Sequence, residues 1–225
     1  MSVSIEDLTR RYPVLYHMAW EGSWPLITKL GLLSSEALTS SFAISEPDRT
    51  ALLSMQRRES VVISNAGGEI AVLRDQKPLS EKKLKSCLTD CDATTWYRIL
   101  NERVFFWLNF QRLITLMSAA EYRARTHTII YVDSASLVAK YEPSIEITHM
   151  NTGNTRPFAH SRGRSTFRTL ADYPYESRRR SPDYSAIVEL TIRNQVPDML
   201  NHVIKAEHAT VRTGNYQIIE SFYQR

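Results

Sequence analysis

Hydrophobic positions along this chain recur in short blocks whose period switches between about 3.6 and about 2 residues, which predicts short helices alternating with strands. Leu8 to Tyr12 falls in a short N-terminal helix and Val14 to Tyr16 forms a first strand with His17 at its end. In the next block Ser23 is placed as an N-cap and Pro25 in the first turn, Trp24, Ile27 and Leu30 recur at helical spacing, and Gly31 supplies a left-handed stop. Glu36 to Arg58 is helical in parts, with Glu46-Pro47-Asp48 as a helix start and Leu52, Leu53 and Met55 on its buried side. Val61 to Ser64 and Ile70 to Arg74 read as strands around the turn Asn65-Ala66-Gly67-Gly68. Ser80 to Leu88 and Thr94 to Leu100 are helical, the second capped by Asp92 or Thr94.

The aromatic strand Arg103 to Leu108 follows, and Asn109 is a good cap for a helix from Phe110 to Met117. Thr128 to Asp133 is a strand, Asp133 or Ser134 caps a helix through Lys140, and Ile145 to Thr148 is a further strand. Ser185 to Ile192 is β-branched, and strict alternation puts Ile187, Glu189 and Thr191 on one side. No repeat or low-complexity tract interrupts the order, so the expectation is one α+β domain over residues 1–225 with peripheral helices.

Composition agrees: 43% hydrophobic and 23% charged residues suit a chain that buries one large core or two small ones, with one compact domain expected. No apolar run approaches the roughly 18 residues of a membrane span, and Met1 to Asp7 shows no basic segment followed by an apolar stretch. A cytoplasmic protein without membrane contact is expected. Cys87 and Cys91 have no His nearby to complete a zinc site, so no metal is expected and the pair reads as reduced.

The net charge of +4 is mild, but its distribution is not. Arg156, Arg162, Arg164, Arg168, Arg178, Arg179 and Arg180 crowd one segment against Asp172 and Glu176, with Phe158, Phe167, Tyr173 and Tyr175 interleaved. Arginine suits bidentate phosphate contact and aromatic rings stack on bases, so the segment reads either as a nucleic-acid path or as a solvated loop. The stretch His149 to Pro157 is dense in short donors and turn formers. It lacks the glycine spacing of a P-loop or dinucleotide-fold fingerprint, which disfavours a Rossmann dehydrogenase. Arg74, after a strand, reads as a clamp for a phosphate or as a surface partner of Asp75 worth under about 1 kcal/mol.

The run Tyr16 to Leu33, with its aromatic–His strand followed by a capped helix, resembles the opening motif of the ADP-ribosyltransferase superfamily. The nearest branch is that of the DarT-like nucleic-acid ADP-ribosyltransferases, beside the poly-ADP-ribose polymerases. Val104 to Leu108 looks like the second aromatic strand of those enzymes, which lines the nicotinamide pocket, and Glu189 matches their late-strand glutamate. The polymerase branch has Tyr where this chain has Phe105 or Phe106. DarT-type enzymes place a functional Arg between the His motif and the aromatic strand, where Arg74 stands with longer spacing.

The resemblance covers residues 15 to 192 in scattered short motifs and implies a split, mixed β-sheet core with NAD as donor of ADP-ribose. It implies that Tyr16, His17, Phe105, Phe106, Trp107 and Asn109 bind NAD and that Glu189 and Arg74 are catalytic. A carboxylate hydrogen-bonded to the ribose stabilises the oxocarbenium-like transition state of nicotinamide release. The implied target is a DNA or RNA base, reached along the seven arginines, in a toxin held in check by an antitoxin protein. Three alternatives share the fold: a non-catalytic nucleic-acid or partner-binding domain, an NAD-dependent RNA 2′-phosphotransferase, and a protein ADP-ribosyltransferase.

Overall fold

Caps and turns set the element boundaries, as the computed structural model shows for residues 3–123, 125–175 and 186–225. The N-terminal part runs α1 (Ile5–Arg11), β1 (Val14–Trp20), α2 (Trp24–Leu30), β2 (Leu32–Leu33), α3 (Ser35–Ser41), α4 (Asp48–Ser54), β3 (Val61–Ser64) and β4 (Ile70–Leu73). The middle runs α5 (Glu81–Cys87), α6 (Ala93–Asn101), β5 (Arg103–Trp107), α7 (Phe110–Met117), β6 (His127–Asp133), α8 (Ser134–Tyr141) and β7 (Ile145–Thr148). Four strands close the described chain: β8 (Glu189–Arg193), β9 (Gln195–Val196), β10 (Val203–Arg212) and β11 (Asn215–Gln224).

Several starts follow directly from side chains that satisfy otherwise unpaired helix N–H groups. Asp92 accepts from Thr95 N at 2.8 Å, Asp133 from Ser136 N at 2.7 Å, and Asn109 from Gln111 N at 2.8 Å. Ser23 makes no such bond, so Pro25 and the preceding turn start α2 instead. Gly31 ends it at φ 77°, where a Cβ would lie 2.2 Å from Val196 O, so only glycine lets β2 pair with β9 there.

Seven strands form one sheet in the order β11-β10-β6-β1-β5-β8-β7. Every pairing in it is antiparallel, which corrects the expected mixed sheet: no neighbours in it are joined by a parallel crossover. The fold is α+β, with a large antiparallel sheet and helices on its faces. β1 and β6 pair along seven positions, but β1 meets β5 only at Tyr16 opposite Trp107. Beyond that point the sheet opens.

One core lies beneath α8 and joins Leu15 and Ala19 of β1 to Ile130, Val132, Leu190 and Ile192. On the opposite face α7 covers Met18, Ile129, Ala209 and Val211. Burying a side chain of this size contributes about 1.5–3 kcal/mol. α5 and α6 build a third cluster on Leu84, Trp96 and Leu100, and the β3–β4 hairpin a fourth on Phe42, Ile63 and Leu73.

Two local expectations change. β1 runs on to Trp20 because its ladder with β6 continues to His127, so His17 is mid-strand and not at a strand end. Met55 is 62% exposed because α4 ends at Ser54 and Met55 turns extended. The Asn109 cap yields a test: Asn109→Ala should lower stability by about 1 kcal/mol in urea unfolding, while Asn109→Asp keeps it. Identical midpoints for all three would remove the cap from the account.

Candidate functional site

The opening between β1 and β5 is one end of a cavity of about 520 Å³, lined further by α2, by β4 and the residues after it, and by the end of α6. That volume lies within the roughly 300–1,000 Å³ of small-molecule and cofactor sites. His17, Arg74, Phe105, Phe106, Trp107 and Glu189 all line it, drawn from three strands, β1, β5 and β8, and the residue after a fourth, β4. Phe106 contributes from a fully buried position, so Phe105 and Trp107 are the half-exposed rings of that strand.

His17 spans the opening. Its Nδ1 lies 2.9 Å from Phe105 O, and because a carbonyl only accepts, Nδ1 carries the proton and Nε2 is left as an acceptor. Burial, together with the charge of Arg74, lowers the imidazole pKa to about 4, so the ring is neutral at pH 7.

Arg74 is set from both sides. The guanidinium of Arg57, 8% exposed, donates to Arg74 O at 3.0 Å, to Leu52 O at 2.6 Å and to Asn101 Oδ1 at 2.9 Å, stitching β4 to α4 and α6. The Arg74 side chain crosses to β1, where Nη1 donates to Met18 O at 2.9 Å, and lies 5.1 Å from the Tyr122 ring centroid. Asp75 does not pair with it. Its buried carboxylate accepts from Tyr122 Oη at 2.8 Å and Ser60 Oγ at 3.0 Å, so the surface Arg74–Asp75 pair is replaced by a buried Tyr122–Asp75 bond that fixes the platform under Arg74. Tyr122 and Asp75 lie far apart in the chain, and no local pattern announced them.

Glu189 is the first residue of β8, between β5 and β7, opposite Trp107 on one side and Thr148 on the other. It is 4% exposed, at the start of a strand flanked on both sides within the sheet. Thr152 donates to its Oε2 from both N (3.1 Å) and Oγ1 (2.7 Å), and Thr148 Oγ1 stands 3.4 Å away. Burial pushes its pKa up to about 7, with the threonine bonds and the charge of Arg162 pulling back. The stretch after β7 is thus a tight loop that also holds the carboxylate; Asn151 and Gly153 from it line the cavity.

Other expected residues fall elsewhere. Tyr16 faces away, packed on Phe110 and Tyr131 at 5.1 and 5.3 Å between ring centroids, and Asn109 is an exposed helix cap; neither lines the cavity. Arg162 is 2% exposed and donates to backbone carbonyls, because its neighbours pack it against Trp96; it cannot meet a polyanion there. Phe167 and Tyr173 are core residues and not stacking surfaces. Arg156, Arg164 and Arg168 are exposed, Arg156 paired with Glu121 at 3.3 Å, and Phe158 is 76% exposed. Arg178, Arg179 and Arg180 lie outside the described residues.

Residues 13–203 match DUF7002, a family of unknown function. The chain belongs to this family. The match runs from the start of β1 to the start of β10 and so takes in every wall of the cavity. No curated protein and no solved structure matches the chain. Among the described residues no helix of this DUF7002 member is long and apolar enough to cross a membrane, and no group of His, Cys, Asp and Glu has the makings of a metal site.

A buried carboxylate with a raised pKa has a consequence for stability. Below the ordinary value of 4.5 Glu189 is protonated in both states; between there and about 7 the folded protein keeps a proton that the unfolded chain releases, so stability falls as pH rises through that window. Glu189→Gln removes this dependence. Its stability relative to wild type should rise by on the order of 3 kcal/mol from pH 4.5 to pH 8 in urea unfolding. Parallel pH profiles would mean that Glu189 ionises normally.

Proposed function

We propose that this protein cleaves NAD between ribose and nicotinamide and transfers ADP-ribose to an acceptor. The supporting observation is the convergence on one cavity of an acceptor imidazole nitrogen, a clamped guanidinium, an aromatic strand and a buried carboxylate, in the sheet order that brings β1, β5 and β8 side by side. The ADP-ribosyltransferase type of sheet implied by the sequence belongs to this proposal. In the reaction the C1′–N bond breaks and its electron pair leaves with neutral nicotinamide. An acceptor lone pair then forms the new bond at C1′ and the acceptor proton passes to solvent.

Each residue has a physical task in this reading. His17 Nε2 accepts from a ribose hydroxyl; Arg74 presents its remaining N–H groups to the pyrophosphate; Phe105 and Trp107 stack on nicotinamide. Ionised Glu189 stabilises the developing positive charge, which predicts a rate that climbs as pH rises through about 7. The acceptor in this reading is a DNA or RNA base, approached along the exposed Arg156, Arg164 and Arg168, in a toxin restrained by an antitoxin protein. With Arg162, Phe167 and Tyr173 buried, the basic surface is smaller than the sequence suggests.

The test is labelled NAD incubated with the protein and, separately, DNA, RNA and protein. Label should pass to nucleic acid with release of nicotinamide, and Glu189→Gln should bind NAD while turning over at least about a hundredfold more slowly. Nicotinamide release at the wild-type rate in Glu189→Gln would remove the carboxylate from the chemistry. Label on protein alone would reassign the acceptor.

A further inference from the structure

Arg162 is a buried cation without an ion pair among the described residues. It is 2% exposed, and placing a guanidinium there costs several kcal/mol unless its N–H groups and charge are answered. Packing against Trp96 alone would be served as well by Met or Leu. The Cys87 side chain beside the guanidinium answers part of the charge, and Glu189 answers it at one remove: Nη1 donates to Thr152 O at 3.0 Å, and Thr152 in turn donates from N and Oγ1 to Glu189. The base of this arm is rigid, since Arg162 N donates to Cys87 O at 2.9 Å and Arg162 O accepts from Thr89 N at 3.0 Å, joining the loop to the end of α5.

We infer that Arg162 and Thr152 are positioning residues, Arg162 fixing the peptide of Thr152 so that Thr152 holds the Glu189 carboxylate toward the cavity. This deepens the reading of Glu189 as the reacting carboxylate and rests on it. Polarity supports the direction of the relay. The cation holds the carbonyl of the 152–153 peptide while the carboxylate accepts from the N–H of the 151–152 peptide and the Thr152 hydroxyl, so opposite charges grip Thr152 from its two ends. Thr148 does not substitute, because its single hydroxyl proton is directed to Met150 O at 2.7 Å while Glu189 stands 3.4 Å away.

The other titratable groups on the elements around Glu189 include His149, half-buried just after β7. On β7 Glu146 is taken up by Arg103 at 2.8 Å and Arg193 at 2.7 Å; across the cavity are Arg74 and neutral His17; on the loop Arg156 and His160 are exposed. Arg162 is the charged group that acts on Glu189, and the Thr152 hydroxyl is the strongest hydrogen bond favouring its ionised form.

The experiment is the titration of the Glu189 side-chain carboxyl carbon by NMR, in the full chain without NAD, for wild type, Thr152→Val, Thr152→Ser and Arg162→Met. Thr152→Val and Arg162→Met should each raise the midpoint by roughly one unit, a tenfold gain in proton affinity, while Thr152→Ser keeps the wild-type value. Each shift should reappear in the pH dependence of kcat for NAD cleavage with little change in KM. A Glu189 midpoint the same in Arg162→Met as in wild type would overturn the relay, and so would a shift of equal size in Thr152→Ser. Should Thr152→Val fail to fold, the Arg162→Met and Thr152→Ser pair decides alone. Absence of NAD cleavage by wild type, with the midpoint shifts present, would instead strike the proposed function.

Discussion

The structure turns on what replaces the backbone ladder between β1 and β5. Past the single pairing of Tyr16 with Trp107 the strands part, and the Phe105 carbonyl that a closed sheet would pair with backbone is taken by the His17 imidazole. A buried carbonyl left alone would cost on the order of 1–3 kcal/mol, so the open sheet is tolerable because a side chain answers it. That same bond sets the tautomer, and with it the character of the free nitrogen. The opening, the cavity and the acceptor atom are therefore one feature.

Everything else at the site is held by long-range polar bonds and not by loops alone. Arg57 ties β4 to two helices, Arg74 returns to β1 through Met18 O, and Thr152 ties the segment after β7 to β8. These bonds bring together strands that are distant in sequence, which rigid elements can keep in register more closely than free loops can. The two extreme protonation states have one cause. Burial makes His17 a neutral acceptor and raises the affinity of Glu189 for its proton, so a cavity with a cationic Arg74 contains no fixed full negative charge on these two groups at mildly acid pH.

The sequence made local structure legible where a side chain acts on its own neighbourhood. Asp92, Asn109 and Asp133 cap the helices their spacing predicted, and Gly31 ends α2 with a positive φ but in an extended and not a left-handed helical conformation. His17, Arg74, Phe105, Trp107 and Glu189, singled out through the family resemblance, line one cavity. What stayed hidden depends on burial across the chain. A run of arginines and aromatics does not say which side chains point inward, so Arg162, Phe167 and Tyr173 read as surface and are core. Tyr122 beneath Arg74 has no local signature, the donor-rich stretch His149 to Pro157 does not say that Thr152 meets Glu189, and the pairing of every strand antiparallel follows from connections the pattern of periods does not contain.

The most direct measurement is an NMR titration of the protein, labelled with nitrogen-15 in its histidines, with NAD at pH 7, following the two imidazole nitrogens of His17. The account predicts a neutral ring with the proton on Nδ1 before addition, and a saturable one-to-one shift confined to Nε2 as that nitrogen accepts a ribose hydroxyl. A charged ring, a proton on Nε2, or an Nε2 resonance unmoved by saturating NAD would contradict it.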